Sequence, residues 1–407
     1  MTEPPHETTI DPEDESVTLP ASTDTLIPDD EDRHVAVVGA GAVGATAAYD
    51  LARRGAEVTL YERETVAAGA SGRAAGICYN AFADELATEI AGESIERLRR
   101  LAGEETFPFV ECPYVWLARD GDDDRAEVIE DGVEAMQTQG TVALTMDSEA
   151  LGERFPHLAV DDVAIGAVAG AAGYTDPARY TACMAAAATG VGATLAPETA
   201  VSLRMDPPRI VKEACGTARE FDAVVVTAGA HTKRLLAAVG VELAMKPYRV
   251  QAITATGTLD EPICYDATDG FYVRPHQDGI LAGNGTEPVE VDPTTADRQA
   301  DPDFAERLCE RIADRFDDLD PEPERAWAGL CTATPDQRPL VGAVSDGFYV
   351  ATGFQGHGFM QTPAIGNRLS KIVLDGDRID AYDPKRFDGD ESFTIVEGMA
   401  VDADDER

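Results

Sequence analysis

Residues 34–64 read HVAVVGAGAVGATAAYDLARRGAEVTLYERE, and the change of texture along this stretch sets the fold class. An apolar run from His34 to Val38 enters a glycine turn, small residues continue in helical spacing to Arg54, and a second apolar run covers Glu57 to Tyr61. The order is strand, helix, strand. Gly39, Gly41 and Gly44 form a G-x-G-x-x-G between the first strand and the helix. Gly39 permits the tight turn, Gly41 lets a pyrophosphate approach the backbone, and Gly44 lets the helix pack on the strand. Ala40 and Val43 lie in the same amide-rich turn, whose helix N-terminus attracts phosphate. Glu62 follows Gly44 by 18 residues, at the end of the second strand, where a carboxylate accepts hydrogen bonds from an adenosine ribose and repels a 2′-phosphate. The spacing alone does not separate FAD from NAD.

The bulk of the chain narrows the function classes. Its 407 residues suffice for a large core, and 76 acidic against 33 basic residues give a formal charge of -43. Such a charge argues against nucleic acid and reads as adaptation to high internal salt, where self-repulsion is screened. The seven cysteines are odd in number and widely spaced, with no C-x-x-C pair, so reduced thiols and no metal site are expected. There is no secretory signal and no run of about 18 apolar residues to span a membrane, so a cytoplasmic location is expected.

Outward from the opening motif, residues 1–32 hold five prolines and eleven acidic residues and read as a disordered acidic tail. A second acidic tail is expected over 386–407. Residues 84–101, 124–139, 303–315 and 357–374 have helical character. Asp176-Pro177 offers a cap followed by proline at the first helical position. Asp222 to Thr227 is an apolar strand entering Ala228-Gly229, and Phe348 to Thr352 is another, feeding Gly353. The runs Phe271 to Arg274 and Ile280 to Ala282, joined at Gln277-Asp278-Gly279, predict an antiparallel sheet.

Several separated segments together resemble the D-amino acid oxidase-like (DAO) superfamily, which includes glycine oxidase, sarcosine oxidase and amino acid dehydrogenases. They are GASGRAAG at 69–76, GYTDPARY at 173–180, VVVTAGAH at 224–231, TPDQRPLVG at 334–342 and GFQGHGFM at 353–360. The resemblance implies noncovalent FAD and an α/β fold, a Rossmann-type FAD-binding domain interleaved with an α+β substrate domain on an antiparallel sheet. The implied boundaries are 33–83, 155–235 and 322–385 for the first, and 84–154 and 236–321 for the second. The implied cofactor contacts add Arg63, Ala70, Ser71, Gly72, Arg73, Ala200, Val201, Thr227, Ala228, Gly229 and Gly329. The last turn adds Gly353, Gly356, His357, Gly358, Phe359 and Met360, where a helix N-terminus supports negative charge on a reduced flavin.

In such enzymes a hydride leaves the carbon bearing nitrogen, and the protein mainly orients that bond. Tyr272 resembles a substrate-facing tyrosine, Arg274 on the same strand and Arg249 in KPYRVQ are candidate carboxylate ligands, and His357 is a candidate contact for substrate or flavin. Tyr248 and Tyr265 are candidate pocket walls. The chain also departs from the family. Leu330-Cys331 stand where glycine oxidase-like members carry Leu-Arg, Met360 where sarcosine oxidase-like members carry a carboxylate-binding lysine, and Leu281 near the lysine that activates oxygen there. The implied substrate is a small amine or amino acid, with O2 or a quinone or other carrier as electron acceptor. The alternatives are a 2-hydroxy acid dehydrogenase and an FAD-binding subunit without an amine substrate. Oligomeric state is open.

Overall fold

The computed structural model describes residues 19, 33–277, 279–284 and 287–396. The expected N-terminal tail lies outside the described residues except for Leu19, which is buried in the main core.

The opening motif forms the middle of a six-stranded sheet. His34–Val38 pairs in parallel with Glu57–Tyr61 on one side and Ala223–Val226 on the other. Thr194–Ala196 extends the first side. Phe348–Thr352 and the antiparallel edge strand Leu340–Ser345 extend the second. Val35 to Val38 are all buried, as a parallel strand covered on both faces requires. Helices Ala42–Arg53, Pro177–Gly190 and Gly358–Asp375 cover one face. Asp176 caps the second of these, its carboxylate accepting from the amides of Ala178 and Arg179.

The first and last helices touch closely: a Cβ at Gly366 would lie 2.4 Å from Thr46 Cγ2. Arg97, from helix Glu85–Leu101, locks both in place by donating to the Asp50 carboxylate at 2.6 and 2.7 Å and to the Pro363 carbonyl at 2.7 Å. This fixes the start of the last helix relative to the glycine turn. A small meander, Val201–Arg204, Arg209–Lys212 and Ala218–Glu220, stands beside the sheet.

An eight-stranded, mostly antiparallel sheet stands against this unit. Its order is Pro323–Ala333, Lys246–Ala255, Gly279–Asn284, Phe271–His276, Ile263–Asp266, Tyr114–Arg119, Val163–Ala169 and Ala143–Met146. Helix Phe304–Arg315 packs on it, and buried Arg315 joins Asp266 and Asp162, both at 2.9 Å. Two strands depart from the expected boundaries. Val163–Ala169 and Pro323–Ala333 fall within segments assigned to the FAD-binding unit, yet both belong to this second sheet. Pro323–Ala333 runs beside Lys246–Ala255 along nearly its whole length, from Lys246↔Ala333 to Ala255↔Pro323. A strand joins the sheet whose edge it fits, and position in the chain does not encode that edge.

The expected C-terminal tail is also corrected in part, because residues 386–396 pack on the molecule. Ile395 is buried with Tyr248 and Ala333, and Phe393 packs against the same cluster. Lys246 Nζ donates to the Phe393 carbonyl and sits 4.3 Å over its ring, while Gln355 Nε2 donates to the Val396 carbonyl. Residues 397–407 lie outside the described set. None of the seven cysteines forms a disulfide among the described residues, and Cys215 is exposed while Cys331 is half-buried. Among the described residues, no helix is long and apolar enough to cross a membrane.

Candidate active site

The glycine turn opens one end of a cleft between the two sheets. Gly39 has φ +106°, and a Cβ there would meet the Thr227 carbonyl oxygen at 2.7 Å. At Gly44 a Cβ would come within 1.9 Å of the Gly39 oxygen, so this glycine is required for the helix to leave the strand at all. Thr227 Oγ1 donates toward the Val38 and Gly39 carbonyls, both at 3.1 Å, tying the neighbouring strand to the turn. The Glu62 carboxylate accepts from the amides of Ala40 and Glu64 at 2.9 Å each, which holds it at the cleft and leaves lone pairs for a hydroxyl donor.

This end is a cavity of about 520 Å³. The sequence candidates Gly39, Gly41, Glu62, Arg63, Ala70, Ser71, Arg73, Ala200, Val201, Thr227, Ala228, Gly229 and Gly329 all line it. Ala40, Gly44, Gly72 and Gly353 shape the turns without lining either cavity. His231, Arg234, Thr294, Asp297 and Arg298 also line it and were not foreseen. His231 ends the VVVTAGAH segment, and no motif marks the other four; these arrive from a helix and an irregular loop through tertiary contact. Burial, reinforced by the charges of Arg63 and Arg298, pushes the His231 pKa down to about 4.

A second cavity of about 240 Å³ continues from the first, sharing Gly41, Ala70, Ser71, Arg73, Thr227, Gly229 and Gly329 in its wall. It ends at the N-terminus of helix Gly358–Asp375. His357 occupies the cap position but makes no side-chain cap bond, so the first-turn amides of that helix face the chamber without a capping acceptor. The sequence candidates Val43, Gly356, His357, Gly358, Phe359 and Met360 line this chamber, with Tyr248, Tyr272 and Cys331. Thr332 and Gln355 join them and were missed in the sequence, as was Gln251, which contributes to the wall while its side-chain amide bonds Asp301. Gln355 adopts φ +50° in the turn before the helix, and only its neighbours' glycines hinted at that strain.

The chamber carries one charged side chain, that of Arg73. His357 shares a 2.9 Å hydrogen bond with the Tyr79 hydroxyl, and burial pushes its pKa down to about 4. No Asp, Glu or Lys lines the chamber among the described residues, and Arg73 is the one arginine. Arg73 directs Nη1 to the Ala68 and Gly69 carbonyls. The Tyr272 ring crosses Gly283, where a Cβ would lie 2.4 Å from the phenol oxygen, so a glycine on the neighbouring strand makes room for it.

The structure does not bring the two candidate carboxylate ligands into the chamber. Side chains alternate along Lys246–Ala255: Tyr248, Val250 and Ala252 line the chamber, and Arg249 is turned away. Arg249 instead pairs with Glu287 and Asp301. Arg274 lies behind the wall. Its Nε donates to the Ala75 carbonyl and its Nη1 to the Pro275 carbonyl, both at 2.6 Å, and it stacks 4.7 Å over Tyr174. Burial lowers its pKa to about 10, leaving it charged at neutral pH. Together with Trp327, whose Nε1 donates to the Arg73 carbonyl at 3.1 Å, Arg274 ties the loop at 73–75 to the second sheet. Tyr265 is buried in the sheet and does not reach either cavity.

The cleft thus joins a charged, amide-rich end to a flat, largely neutral end, a shape and polarity that fit an extended dinucleotide with a redox ring. Comparison with known proteins agrees. Residues 34–372 match the DAO family, described as FAD dependent oxidoreductase. Mouse mitochondrial dimethylglycine dehydrogenase is 26% identical over 86% of this chain, which spans 44% of that protein's length. Glycine oxidase of Geobacillus kaustophilus is 26% identical over 83% of this chain and 92% of its own. The crystal structure of L-proline dehydrogenase from P. horikoshii superposes with TM-score 0.79 at 25% identity, covering 88% of this chain and 98% of that one.

Proposed function

We propose that this chain, which belongs to the DAO family of FAD-dependent oxidoreductases, oxidises the carbon–nitrogen bond of a small amine or amino acid to an imine. The observation that carries this reading is the continuity of the two cavities, from Glu62 to the uncapped helix at Gly358. Glu62 holds the ribose, the turn at Gly39 to Gly44 holds the pyrophosphate, and the amides at Gly358 to Met360 support charge on the reduced ring. FAD, bound without a covalent link, supplies the hydride acceptor. The cysteine that carries flavin in sarcosine oxidase-like members aligns near Gly329.

The chain's own residues orient and exclude. Tyr272 and Tyr248 wall the chamber, and His357, neutral at physiological pH, holds Tyr79 in place. Among the described residues no carboxylate or lysine lines the chamber to act as a general base, which suits an amine that enters in its free-base form and loses hydride from carbon as its nitrogen lone pair closes the C=N bond. Water then hydrolyses the released iminium ion. With no lysine in the chamber and Arg73 engaged by carbonyls, the fit is better for N-alkylated amines than for an amino acid gripped at its carboxylate.

The test is anaerobic reduction of the purified flavoprotein in molar salt by a panel of glycine, sarcosine, dimethylglycine, proline, simple N-methylamines and 2-hydroxy acids. Bleaching by an amine supports the proposal. Bleaching by 2-hydroxy acids alone, or by no compound, overturns it in favour of a hydroxy acid dehydrogenase or a noncatalytic FAD-binding subunit. Reoxidation by air or by a quinone then identifies the acceptor.

A further inference from the structure

Arg249, turned away from the chamber, holds a different element. Residues 287–301 contain neither helix nor strand, yet they cross the mouth of the larger cavity, with Thr294, Asp297 and Arg298 in its wall. Irregular segments of this length in a compact domain commonly serve as lids or binding loops. Most side-chain anchors at its ends meet one residue, Arg249, beside backbone bonds from the Glu287 amide to the Arg249 carbonyl, from the Val291 amide to the Pro247 carbonyl and from the Ala328 amide to the Arg298 carbonyl. Arg249 pairs with Glu287 at the start and with Asp301 at 2.9 Å at the end, and it donates to the Asp297 and Gln299 carbonyls at 3.3 and 2.5 Å. Gln251 completes the latch, donating to the Asp301 carboxylate at 3.0 Å and accepting from the Asp301 amide at 2.7 Å.

The opposite side of the segment reaches the nucleotide unit by weaker contacts. Glu290 meets Lys233 at 2.8 Å and Arg298 meets Glu64 at 3.7 Å, in both cases between partly exposed groups. The segment is therefore clamped firmly to the second sheet and rests lightly on the first. Exposed pairs of that kind contribute little and exchange readily with water, so the light side is the one that opens.

We propose that residues 287–301 form a flap that retains FAD, hinged on the second sheet by the Arg249 latch. Arg249 is then a positioning residue for the cofactor and takes no part in binding the substrate. The inference rests on the cleft being the FAD site. A bond network donated by one buried guanidinium also explains why lysine would not substitute, since an ammonium cannot span four acceptors in a fork.

The test uses the full-length holoenzyme and its apoprotein. FAD affinity is measured by titrating apoprotein with FAD and following flavin fluorescence, and flap opening by the rate of tryptic cleavage after Arg298. Arg249→Met and Arg249→Lys are expected to weaken FAD binding by roughly tenfold or more, to speed cleavage after Arg298, and to change the FAD Kd by a larger factor than the substrate KM. Should the Arg249 variants fail to fold, Glu287→Gln with Asp301→Asn loosens the same latch without removing the buried cation, and the same outcomes apply. An unchanged FAD Kd overturns the proposal, and a raised substrate KM with unchanged FAD Kd returns Arg249 to a substrate role. Wild-type protein that binds no FAD would instead defeat the functional reading on which the flap depends.

Discussion

The two ends of the cleft are built on opposite principles. At the Glu62 end, backbone geometry and charge dominate: positive φ at Gly39, a contact at Gly44 that tolerates no side chain, and Arg63, Arg234 and Arg298 gathered in an otherwise acidic chain. At the His357 end, uncharged side chains from distant segments make the wall, including Tyr248, Tyr272, Trp327 and Phe354. One end suits a fixed anionic partner. The other is a largely neutral, aromatic-walled container, so its selectivity rests on shape and a few polar contacts.

The contrast breaks most decisively at Gly44. Gly44→Ala places a methyl 1.9 Å from the Gly39 oxygen, which costs upwards of about 3 kcal/mol in overpacking. FAD affinity should fall by roughly a hundredfold or more, measured by apoprotein titration. A Gly44→Ala protein that retains full flavin occupancy after gel filtration would remove the glycine turn from the cofactor site.

Acid titration sharpens the comparison, because each end holds one histidine near pKa 4 for a different reason. Burial alone depresses His357, while Arg63 and Arg298 add to burial at His231. Both folded pKa values lie below the unfolded value of about 6.5. The stability from keeping these rings neutral is therefore complete above pH 6.5 and is lost as pH falls toward 4. For His357 the loss is at most about 3 kcal/mol, and His357→Gln should flatten the acid decline in Tm accordingly. In NMR titrations, molar salt should raise the His231 pKa by about half a unit through screening of its arginines and leave His357 in place. Equal salt responses would show that the two environments do not differ as described.

The smallest expected effect concerns the C-terminal segment behind the chamber. Ile395→Ala removes a buried side chain packed on Tyr248, and should cost about 2 kcal/mol in chemical denaturation. Since Gln355 is also held by the Val396 carbonyl, the substrate KM should rise while FAD affinity is nearly unchanged. A larger change in FAD affinity than in KM would place the segment's influence at the other end of the cleft.

Residues 34–64 were legible because everything they do is local. A strand, a turn that only glycine can make and an acid at the next strand's end lie within one β-α-β unit, so spacing encodes their geometry. The Asp176-Pro177 helix start was legible for the same reason. The turn at 353–360 could be recognised as a motif, and its neighbours Gln251 and Thr332 could not, because strand pairing alone brings them to the chamber.

Arg249 shows the limit. Sequence places it on a strand beside Tyr248, and alternation guarantees that the two face opposite ways, but only the packed sheet decides which one meets the chamber. Arg274 and the segment at 387–396 make the same point, one residue drawn behind a wall by the Ala75 carbonyl and one acidic stretch retained by a buried isoleucine. The sequence by itself determined a nucleotide turn, its acidic partner and the class of fold around them, since those depend on bonds between near neighbours. The lining of the chamber, the path of residues 287–301 and the C-terminal buttress were decided by which edges pair and which faces close, and those choices depend on contacts between residues far apart in the chain.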